Sequence, residues 1–274
     1  MKLSQDGLQW HLELVGAGPP LLLLHGFTGN LQSWQPLVPT LASHYTLLML
    51  DLIGHGASDA PTDPMQYSFD RCIAAILGLL DRLGWERTAI LGYSMGGRIG
   101  LLLTATVPKR IRCQILIGAS PGIDDPVERA ARLASDEALA GRIEREGLEW
   151  FVDYWMAQPI FASQHRLPAD IRAAQRAQRL VGSAHGYANA LRGFSVGRQP
   201  SLWATLPTIT IPTLLISGEL DPKYCDIAAR MAALMPHARH IVVPDAGHAV
   251  HLEQPQIVAH VISTFMSESC KVDH

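Results

Sequence analysis

The pentapeptide Gly-Tyr-Ser-Met-Gly at positions 92–96 constrains the fold of this chain more than any other segment. It follows the apolar run Thr88–Leu91, and this order predicts a buried strand, a tight turn and a helix start. Glycine is required at positions 92 and 96 because the strand and the helix cross too closely for a Cβ atom. The turn strains the backbone of Ser94 and raises its hydroxyl above the strand end. Ser94 is therefore predicted to be catalytic, and Arg98, four positions later, to lie on the same helical face.

Short apolar segments alternate with helical patterns along most of the chain. Continuous apolar runs are typical of strands that are covered on both faces of a parallel sheet. The predicted strands are Leu8–Leu14, Leu21–His25, Tyr45–Asp51, Thr88–Tyr93, Arg112–Ile117, Thr213–Ser217 and Arg239–Val243. The predicted helices between them are Ser68–Leu83, Gly96–Thr106, Asp226–Leu234 and Gln256–Glu268. We therefore expect an α/β fold with a mostly parallel, doubly wound sheet.

The alternation stops between Pro121 and Pro200, where the pattern is only helical. The helices predicted there are Val127–Ala140, Leu148–Met156 and Ala169–Val181. A helical insertion between two strands predicts a cap over the carboxyl edge of the sheet, where open α/β sheets bind ligands. We expect a core of residues 1–121 and 201–274, with a helical cap of residues 122–200.

Composition excludes several classes of function. The chain of 274 residues is 48% apolar and 17% charged, which is enough apolar material for a sizeable core. Its net charge of −3 gives no electrostatic reason to expect binding to nucleic acid or to an anionic membrane. We see no signal peptide and no apolar run near the roughly 20 residues of a membrane span. The sequence carries no signal for the oligomeric state.

The four cysteines are widely scattered and have no C-x-x-C spacing: Cys72, Cys113, Cys225 and Cys270. Scattered cysteines without metal-binding or redox spacing are usually free thiols in a protein of a reducing compartment. We therefore expect four reduced thiols in a cytoplasmic protein.

A serine hydroxyl becomes reactive when a histidine takes its proton and a carboxylate holds that histidine in place. In chains with this serine turn, the acid and then the histidine follow the serine. Asp221 lies in the loop after the predicted strand Thr213–Ser217, and His248 follows the last predicted strand. We expect Ser94, Asp221 and His248 to form a catalytic triad.

Three residues near this acid and histidine have other expected roles. Glu219 is the alternative to Asp221 as the acid. Asp245 is too close to His248 in sequence to orient its ring, so we expect a turn residue. His251 is expected at the surface or in support of the triad. The remaining histidines lack metal-ligand spacing, so we expect no metal.

An oxyanion hole requires two convergent backbone N–H groups. One is expected from Met95, directly after the serine, and the other from Phe27 in His-Gly-Phe-Thr-Gly at positions 25–29. A second glycine-rich loop at positions 51–58 is expected to be structural. It does not match G-x-G-x-x-G, so we expect neither a dinucleotide nor any other cofactor.

Arginine is concentrated in the predicted cap. The chain has 18 Arg and 4 Lys, and residues 122–200 hold 10 of these Arg and no Lys. Arginine grips a carboxylate with two parallel hydrogen bonds, but the same segment holds 10 acidic residues that would pair with many of these arginines. Arg98 differs, because a guanidinium under a cap needs an anionic partner. That partner is either a substrate carboxylate or a structural Asp or Glu.

Together these motifs resemble the α/β-hydrolase superfamily: His-Gly-Phe, Asp-x-x-Gly-His-Gly-x-Ser at 51–58, Gly-Tyr-Ser-Met-Gly-Gly-Arg, the Asp221 loop and Gly-His at 247–248. Three further segments are similar to the 2-succinyl-6-hydroxy-2,4-cyclohexadiene-1-carboxylate synthases (MenH): Ser-Pro-Gly-Ile at 120–123, Glu-Arg-Ala-Ala-Arg at 128–132 and Asp-Tyr-Trp-Met-Ala-Gln-Pro-Ile-Phe at 153–161. This resemblance implies a cytoplasmic lyase of menaquinone or phylloquinone biosynthesis. It would eliminate pyruvate from a small substrate with three carboxylates.

The resemblance also implies substrate contacts for five residues: Tyr93, Arg98, Arg132, Trp155 and Arg179. Arg176 is an alternative to Arg179, and Trp155 is equally well interpreted as cap core. Two other functions stay open. One is a serine hydrolase of the same fold, acting on an anionic ester or a C–C ring-cleavage product, and the other is a non-enzymatic small-molecule receptor.

Overall fold

The computed structural model describes residues 1–270 and is built around one eight-stranded sheet. Its strands are β1 Lys2–Gln5, β2 Leu8–Val15, β3 Pro20–Leu24, β4 Thr46–Leu50, β5 Thr88–Tyr93, β6 Ile111–Ile117, β7 Thr213–Gly218 and β8 Ala238–Val243. They lie in the order β1-β2-β4-β3-β5-β6-β7-β8. Strands β3 to β8 are parallel, and β1 and β2 form an antiparallel edge. The predicted α/β fold with a mostly parallel sheet is confirmed.

Ten α-helices accompany the sheet within the described residues. They are α1 Val38–Leu41, α2 Phe69–Arg82, α3 Met95–Thr106, α4 Pro126–Glu146, α5 Leu148–Met156, α6 Ala169–Leu180, α7 Ala184–Gly193, α8 Pro222–Leu234, α9 Val250–Glu253 and α10 Pro255–Ser269. Short 3-10 helices cover Leu31–Trp34, Pro64–Tyr67, Pro108–Arg110, Pro159–Arg166 and Leu206–Thr208. No helix of residues 1–270 has the length and apolar character needed to cross a membrane.

Helices cover both faces of the sheet, and β3 shows how. Leu22 and Leu24 belong to a core that also contains α2, α3 and α8, whereas Leu21 and Leu23 belong to the core formed with α10. All four leucines are fully buried, and each stabilises the fold by roughly 1.5–3 kcal/mol. The alternation of side chains along a strand therefore explains why this run is apolar at every position.

Several element ends differ from the prediction for local reasons. Helix α8 begins at Pro222 rather than at 226, because the Asp221 side chain caps it and proline suits the first helical position. Helix α4 continues beyond 140 until Gly147, whose φ of 86° ends the helix. Strand β1 was missed because its four residues are polar or exposed at alternate positions.

Only helices lie between β6 and β7, as the sequence pattern indicates. Helices α4 to α7, here called the helical segment, share a small core: Ala140, Ile143, Phe151, Tyr187, Ala188 and Leu191. Helix α7 was not predicted, because Gly186 and Gly193 lower its helix propensity. It forms because its apolar face is buried, and because the Ser183 side chain caps it at the Gly186 N–H.

The expectation of four reduced thiols is wrong for one pair. Cys113 in β6 and Cys270 after α10 form a disulfide, with their Cα atoms 5.7 Å apart. This pair was not predictable because the two cysteines lie 157 positions apart in the chain, and only the packing of α10 on the sheet brings them together. Cys72 and Cys225 are free.

Candidate active site

The turn between β5 and α3 holds Ser94 in an unusual backbone conformation, with φ 50° and ψ −108°. Its N–H donates to the Ile117 carbonyl oxygen at 2.8 Å, which fixes the turn on the neighbouring strand. A Cβ atom at Gly92 would lie 2.6 Å from the Cα atom of Gly97, so only glycine fits where strand and helix cross. Such a backbone conformation costs about 1–3 kcal/mol, and the surrounding hydrogen bonds maintain it.

Three side chains from three loops meet at the carboxyl end of the sheet. The Ser94 Oγ lies 3.0 Å from Nε2 of His248, and Nδ1 of His248 lies 2.7 Å from Oδ2 of Asp221. His248 and Asp221 are both buried. In the tautomer with the proton on Nδ1, the histidine donates to the carboxylate and Nε2 can accept the serine proton. The arrangement can therefore generate a serine alkoxide.

The structure separates the alternative acid and the turn residue from the triad. A carboxylate oxygen of Glu219 accepts a hydrogen bond from the Asp245 backbone N–H at 3.1 Å, rather than contacting His248. Asp245 lies in a turn with φ 53°, the left-handed region that Asp tolerates. Of the two candidate acids, Asp221 is the one that contacts the histidine.

His251 is fully buried, so it does not lie at the surface. Its ring packs between the rings of Tyr93 and Trp34, with centroids 4.5 Å and 5.0 Å away. Neither ring nitrogen has a hydrogen-bond partner among the described residues. Burial lowers the pKa of His251 to about 3, and the nearby His248 adds to the shift. His251 is thus a neutral ring behind Tyr93 at neutral pH.

This buried ring predicts an acid-sensitive contribution to stability. Below about pH 6.5 the unfolded chain binds a proton at His251 that the folded chain does not bind, so stability falls as the pH falls. His251→Phe removes this contribution without removing a protein hydrogen bond. When the pH is lowered from 7.5 to 5, the free energy of unfolding should fall in both proteins. We expect this fall to be about 2 kcal/mol smaller in the variant than in the wild type.

Urea denaturation at both pH values measures this difference. The control is His237→Gln, which changes an exposed histidine and should lose as much unfolding free energy as the wild type. Equal losses in His251→Phe and in the wild type would contradict the prediction.

Two backbone N–H groups close to the serine in the fold have no protein acceptor among the described residues. Met95 is the first residue of α3, a position whose N–H has no acceptor within the helix. A Cβ atom at Gly26 would lie 3.4 Å from the Cβ atom of Ser94, so the loop of Phe27 runs directly beside the serine. Within residues 1–270, the N–H groups of Phe27 and Met95 donate to no protein acceptor. An oxyanion hole requires two unpaired N–H groups near the reacting serine.

One cavity of about 160 Å³ collects most of the predicted site residues. Those that line it are Phe27, Tyr93, Ser94, Met95, Arg98, Arg132, Trp155 and His248. Asp221 lies behind His248, and Arg179 does not line this cavity. The helical segment supplies one wall and the loops of the sheet supply the other.

Arg98 is buried at this cavity without a carboxylate partner. It is 7% exposed, and it donates to the Phe194 carbonyl oxygen at 2.9 Å and to Oε1 of Gln199 at 3.3 Å. Both partners are neutral, and no Asp or Glu of residues 1–270 lies within 4.0 Å of its nitrogens. Burial lowers the pKa of Arg98 to about 10, so the group stays charged at neutral pH. Its charge is therefore available to an anionic ligand.

Arg132 reaches the same cavity from α4, and its Nε donates to both carboxylate oxygens of Asp136 at 2.8 Å and 2.9 Å. Asp136 is buried and also accepts a hydrogen bond from Ser195 at 2.6 Å. This carboxylate therefore holds the Arg132 side chain at the cavity wall.

Arg179 lines a smaller adjoining cavity of about 20 Å³. Its Nε donates to the Thr28 hydroxyl at 3.2 Å and its Nη1 to the Gln175 carbonyl oxygen at 3.1 Å, and it too lacks a carboxylate partner among the described residues. Burial lowers the pKa of Arg179. The alternative residue, Arg176, instead pairs with Asp153 at 2.7 Å on the surface. It is therefore not brought to the site.

Aromatic rings complete the cavity wall. Trp155 packs edge to face on Phe27 with centroids 5.1 Å apart, and its buried indole N–H has no partner among residues 1–270. Tyr224, which sequence reasoning missed, lies with its ring 4.5 Å from that of His248. Tyr224 lies three residues after Asp221, in the first turn of α8, and this position in the sequence indicates a place near the triad.

The described residues contain no group of three or more His, Cys, Asp or Glu side chains close enough to hold a metal ion. The groups that the site offers for chemistry are its triad, its backbone N–H groups and its arginines.

Known proteins share this architecture and much of the sequence. A family model described as the alpha/beta hydrolase fold matches residues 19–255. A Bacillus subtilis protein, provisionally named 2-succinyl-6-hydroxy-2,4-cyclohexadiene-1-carboxylate synthase, is 39% identical over 96% of this chain and 96% of its own length. A Serratia proteamaculans protein of the same name is 34% identical over 90% of this chain and 93% of its own. The solved structure of MenH from S. aureus has a TM-score of 0.91 and 31% identity, and the match covers 96% of this chain and 99% of that one.

Proposed function

This chain belongs to the α/β hydrolase fold family and, within it, to the 2-succinyl-6-hydroxy-2,4-cyclohexadiene-1-carboxylate synthases, and from this premise we propose that it is a lyase that eliminates pyruvate. The proposed substrate is 2-succinyl-5-enolpyruvyl-6-hydroxy-3-cyclohexene-1-carboxylate. The ring product is 2-succinyl-6-hydroxy-2,4-cyclohexadiene-1-carboxylate.

The observation that carries the proposal is the buried charge of Arg98 beside the triad. A guanidinium that is desolvated and has only neutral partners is costly, and a substrate carboxylate would offset that cost. Arg132 adds a second positive charge to the same cavity. A neutral ester or lipid would leave the Arg98 charge unmatched, whereas a carboxylate of the proposed substrate matches it.

The chemistry begins with proton transfer. His248, oriented by Asp221, draws the proton from Ser94, and the serine oxygen then removes the ring proton next to the succinyl carbonyl, which that carbonyl makes acidic. Electrons move into the succinyl carbonyl, and the N–H groups of Phe27 and Met95 stabilise its developing negative charge. As the electrons return, the ring double bond shifts, the ring C–O bond breaks and the enolate of pyruvate leaves. The protonated His248 returns the abstracted proton to this enolate, which yields pyruvate and restores the neutral triad. The reaction consumes no water and forms no acyl-enzyme.

The helical segment acts in this proposal as the lid of the site. We assign residues 122–200 to a cap, and residues 1–121 and 201–274 to the core that carries the triad; positions 271–274 of this assignment lie outside the described residues. The cap supplies Arg132 and Trp155 to the cavity, and Arg98 comes from the core. The contacts proposed for the substrate are therefore divided between the two parts, with Tyr93 beneath the serine and Arg179 at the adjoining cavity.

The cytoplasm is the proposed location, because the substrate belongs to quinone biosynthesis rather than to the cell exterior. The disulfide between Cys113 and Cys270 is the feature that an oxidising compartment would favour. Fractionation of cells that produce the chain decides between the two.

The direct test is to generate the enolpyruvyl substrate enzymatically and to follow pyruvate through lactate dehydrogenase and NADH. We expect pyruvate and the cyclohexadiene to appear in equal amounts, and the ring product to carry no added water by mass spectrometry. A ring product heavier by one water would assign the chain to the hydrolases instead. Pyruvate release no faster than in a reaction without the enzyme would overturn the proposal.

A further inference from the structure

We propose that Gln178, on the face of α6 toward the core, is a positioning residue that holds the Phe27 N–H in place for catalysis. It does so by fastening α6 to the loop at positions 26–33, here called the donor loop. This inference rests on the proposed function in one respect, because it takes the Phe27 N–H as an oxyanion donor.

The donor loop contains a backbone conformation that its own sequence disfavours. The Gly29 N–H donates to the Gly26 carbonyl oxygen at 2.9 Å, which closes a four-residue turn around Phe27 and Thr28. Thr28 has φ 65°, in a turn position where glycine or asparagine is preferred. A β-branched residue in this region is a true outlier and costs about 1–3 kcal/mol. The turn therefore needs contacts from outside to keep Phe27 in place.

Those contacts come from the helical segment. Arg179 of α6 donates to the Thr28 hydroxyl at 3.2 Å, and the hydroxyl of Tyr187 on α7 lies 3.3 Å from the Thr28 carbonyl oxygen. Thr28 is fully buried by this packing. The strained residue directly after Phe27 is thus held by helices that the chain supplies some 150 residues later.

Gln178 makes the shortest of the contacts to the donor loop. Its Nε2 donates to Oδ1 of Asn30 at 2.6 Å and to Oγ of Ser33 at 2.9 Å, so both of its side-chain hydrogens are used. Asn30 and Ser33 are also the capping residues of the 3-10 helix that ends the loop. The Asn30 side-chain amide donates a longer hydrogen bond, of 3.4 Å, to the backbone carbonyl oxygen of Gln178. Gln178 therefore fixes the end of the donor loop, and Arg179 fixes its strained middle.

This contact affects the transition state more than the bound substrate. An oxyanion donor stabilises charge that develops only during the reaction, so a displaced donor lowers kcat and changes KM little. Complete loss of one donor typically costs about 10²–10³-fold in kcat. A donor that is present but less firmly held should cost less, and we expect about 10–30-fold.

Gln178→Ala tests the inference, with Gln175→Ala as the matched control. Gln175 lies one turn earlier on α6, and its side-chain amide contacts no hydrogen-bonding group of the described residues. Asn30 still caps the Gln32 N–H in the Gln178 variant, so no buried acceptor is stranded. We expect kcat to fall about 10–30-fold with KM within about twofold in Gln178→Ala, and both constants to stay near wild type in Gln175→Ala.

A second readout does not depend on the proposed substrate. A serine-directed phosphonate reacts at Ser94 through a charged, oxyanion-stabilised transition state, and intact mass follows its rate. We expect the labelling rate to fall by the same factor as kcat in Gln178→Ala. Ser33→Ala, which removes one acceptor from the opposite side, should shift both rates in the same direction by less. This variant replaces Gln178→Ala if the latter fails to fold.

The outcomes separate the two proposals. If the wild type releases no pyruvate but Gln178→Ala still slows labelling, the proposed reaction fails and the positioning role stands. Unchanged kcat and labelling in Gln178→Ala overturn the positioning role. A raised KM with unchanged kcat and labelling also overturns it, because Gln178 would then serve only substrate binding.

Discussion

Ser94→Ala is expected to lower kcat for pyruvate release by at least about 10⁴-fold, because the variant lacks the oxygen that removes the ring proton. The arginines proposed to bind carboxylates are untouched, so we expect the dissociation constant of the ring product to stay within about threefold of the wild type. Single-turnover pyruvate assays and calorimetric titration with the ring product measure the two quantities. The contrast places the loss in the chemical step rather than in binding.

The control for this variant is Ser267→Ala, which changes an exposed serine on α10 and should keep wild-type turnover. Pyruvate release by Ser94→Ala at the wild-type rate would remove the triad from the mechanism. Pyruvate release no faster than background by both the variant and the wild type, with binding of the ring product retained, would instead fit a small-molecule receptor that keeps the triad without using it.

Arg98→Met is expected to lower kcat/KM by about 10²–10³-fold, because a buried carboxylate of the substrate would lose its charged partner. Methionine keeps much of the side-chain volume but cannot donate. The free energy of unfolding should change by no more than about 2 kcal/mol, since the lost hydrogen bonds to Phe194 and Gln199 are offset by removal of a desolvated charge. Steady-state kinetics and urea denaturation measure the two effects.

Arg176→Met is the matched control for this change. Its guanidinium pairs with Asp153 on the surface, where water and salt screen such pairs and leave them little effect on stability, so activity and stability should both stay close to wild type. Equal kinetics in Arg98→Met and Arg176→Met would show that Arg98 does not meet the substrate. A loss of stability well beyond 2 kcal/mol in Arg98→Met would instead indicate a structural role.

The sheet was predictable because its central strands are continuous apolar runs, and strand β5 has the predicted bounds. Elements with a short or weak sequence pattern were not predicted. Strand β1 has only four residues and an exposed edge, and α7 is stabilised by packing rather than by its own propensity. Pairing of Cys113 with Cys270 depends on where α10 lies on the sheet, and no local pattern carries that information.

The site was predictable where it follows from topology. Loops at the carboxyl ends of neighbouring parallel strands must converge, so order alone indicated that Asp221 and His248 lie near Ser94. Positions within the helical segment do not follow from topology, because helix packing decides which face meets the cavity. This explains why the sequence left Arg176 and Arg179 as alternatives, and why the contacts of Gln178 were not foreseen.

Leu24 of β3 and Gly92 of β5 are direct partners in the parallel ladder. The loops that follow them leave the sheet side by side, about 4.8 Å apart, at a spacing that backbone hydrogen bonds fix. The Met95 N–H belongs to a helix start tied to that ladder, whereas side chains of α6 hold the loop of Phe27. Laboratory evolution toward new turnover rates can therefore randomise the inner face of α6 while leaving the strands and the serine turn constant.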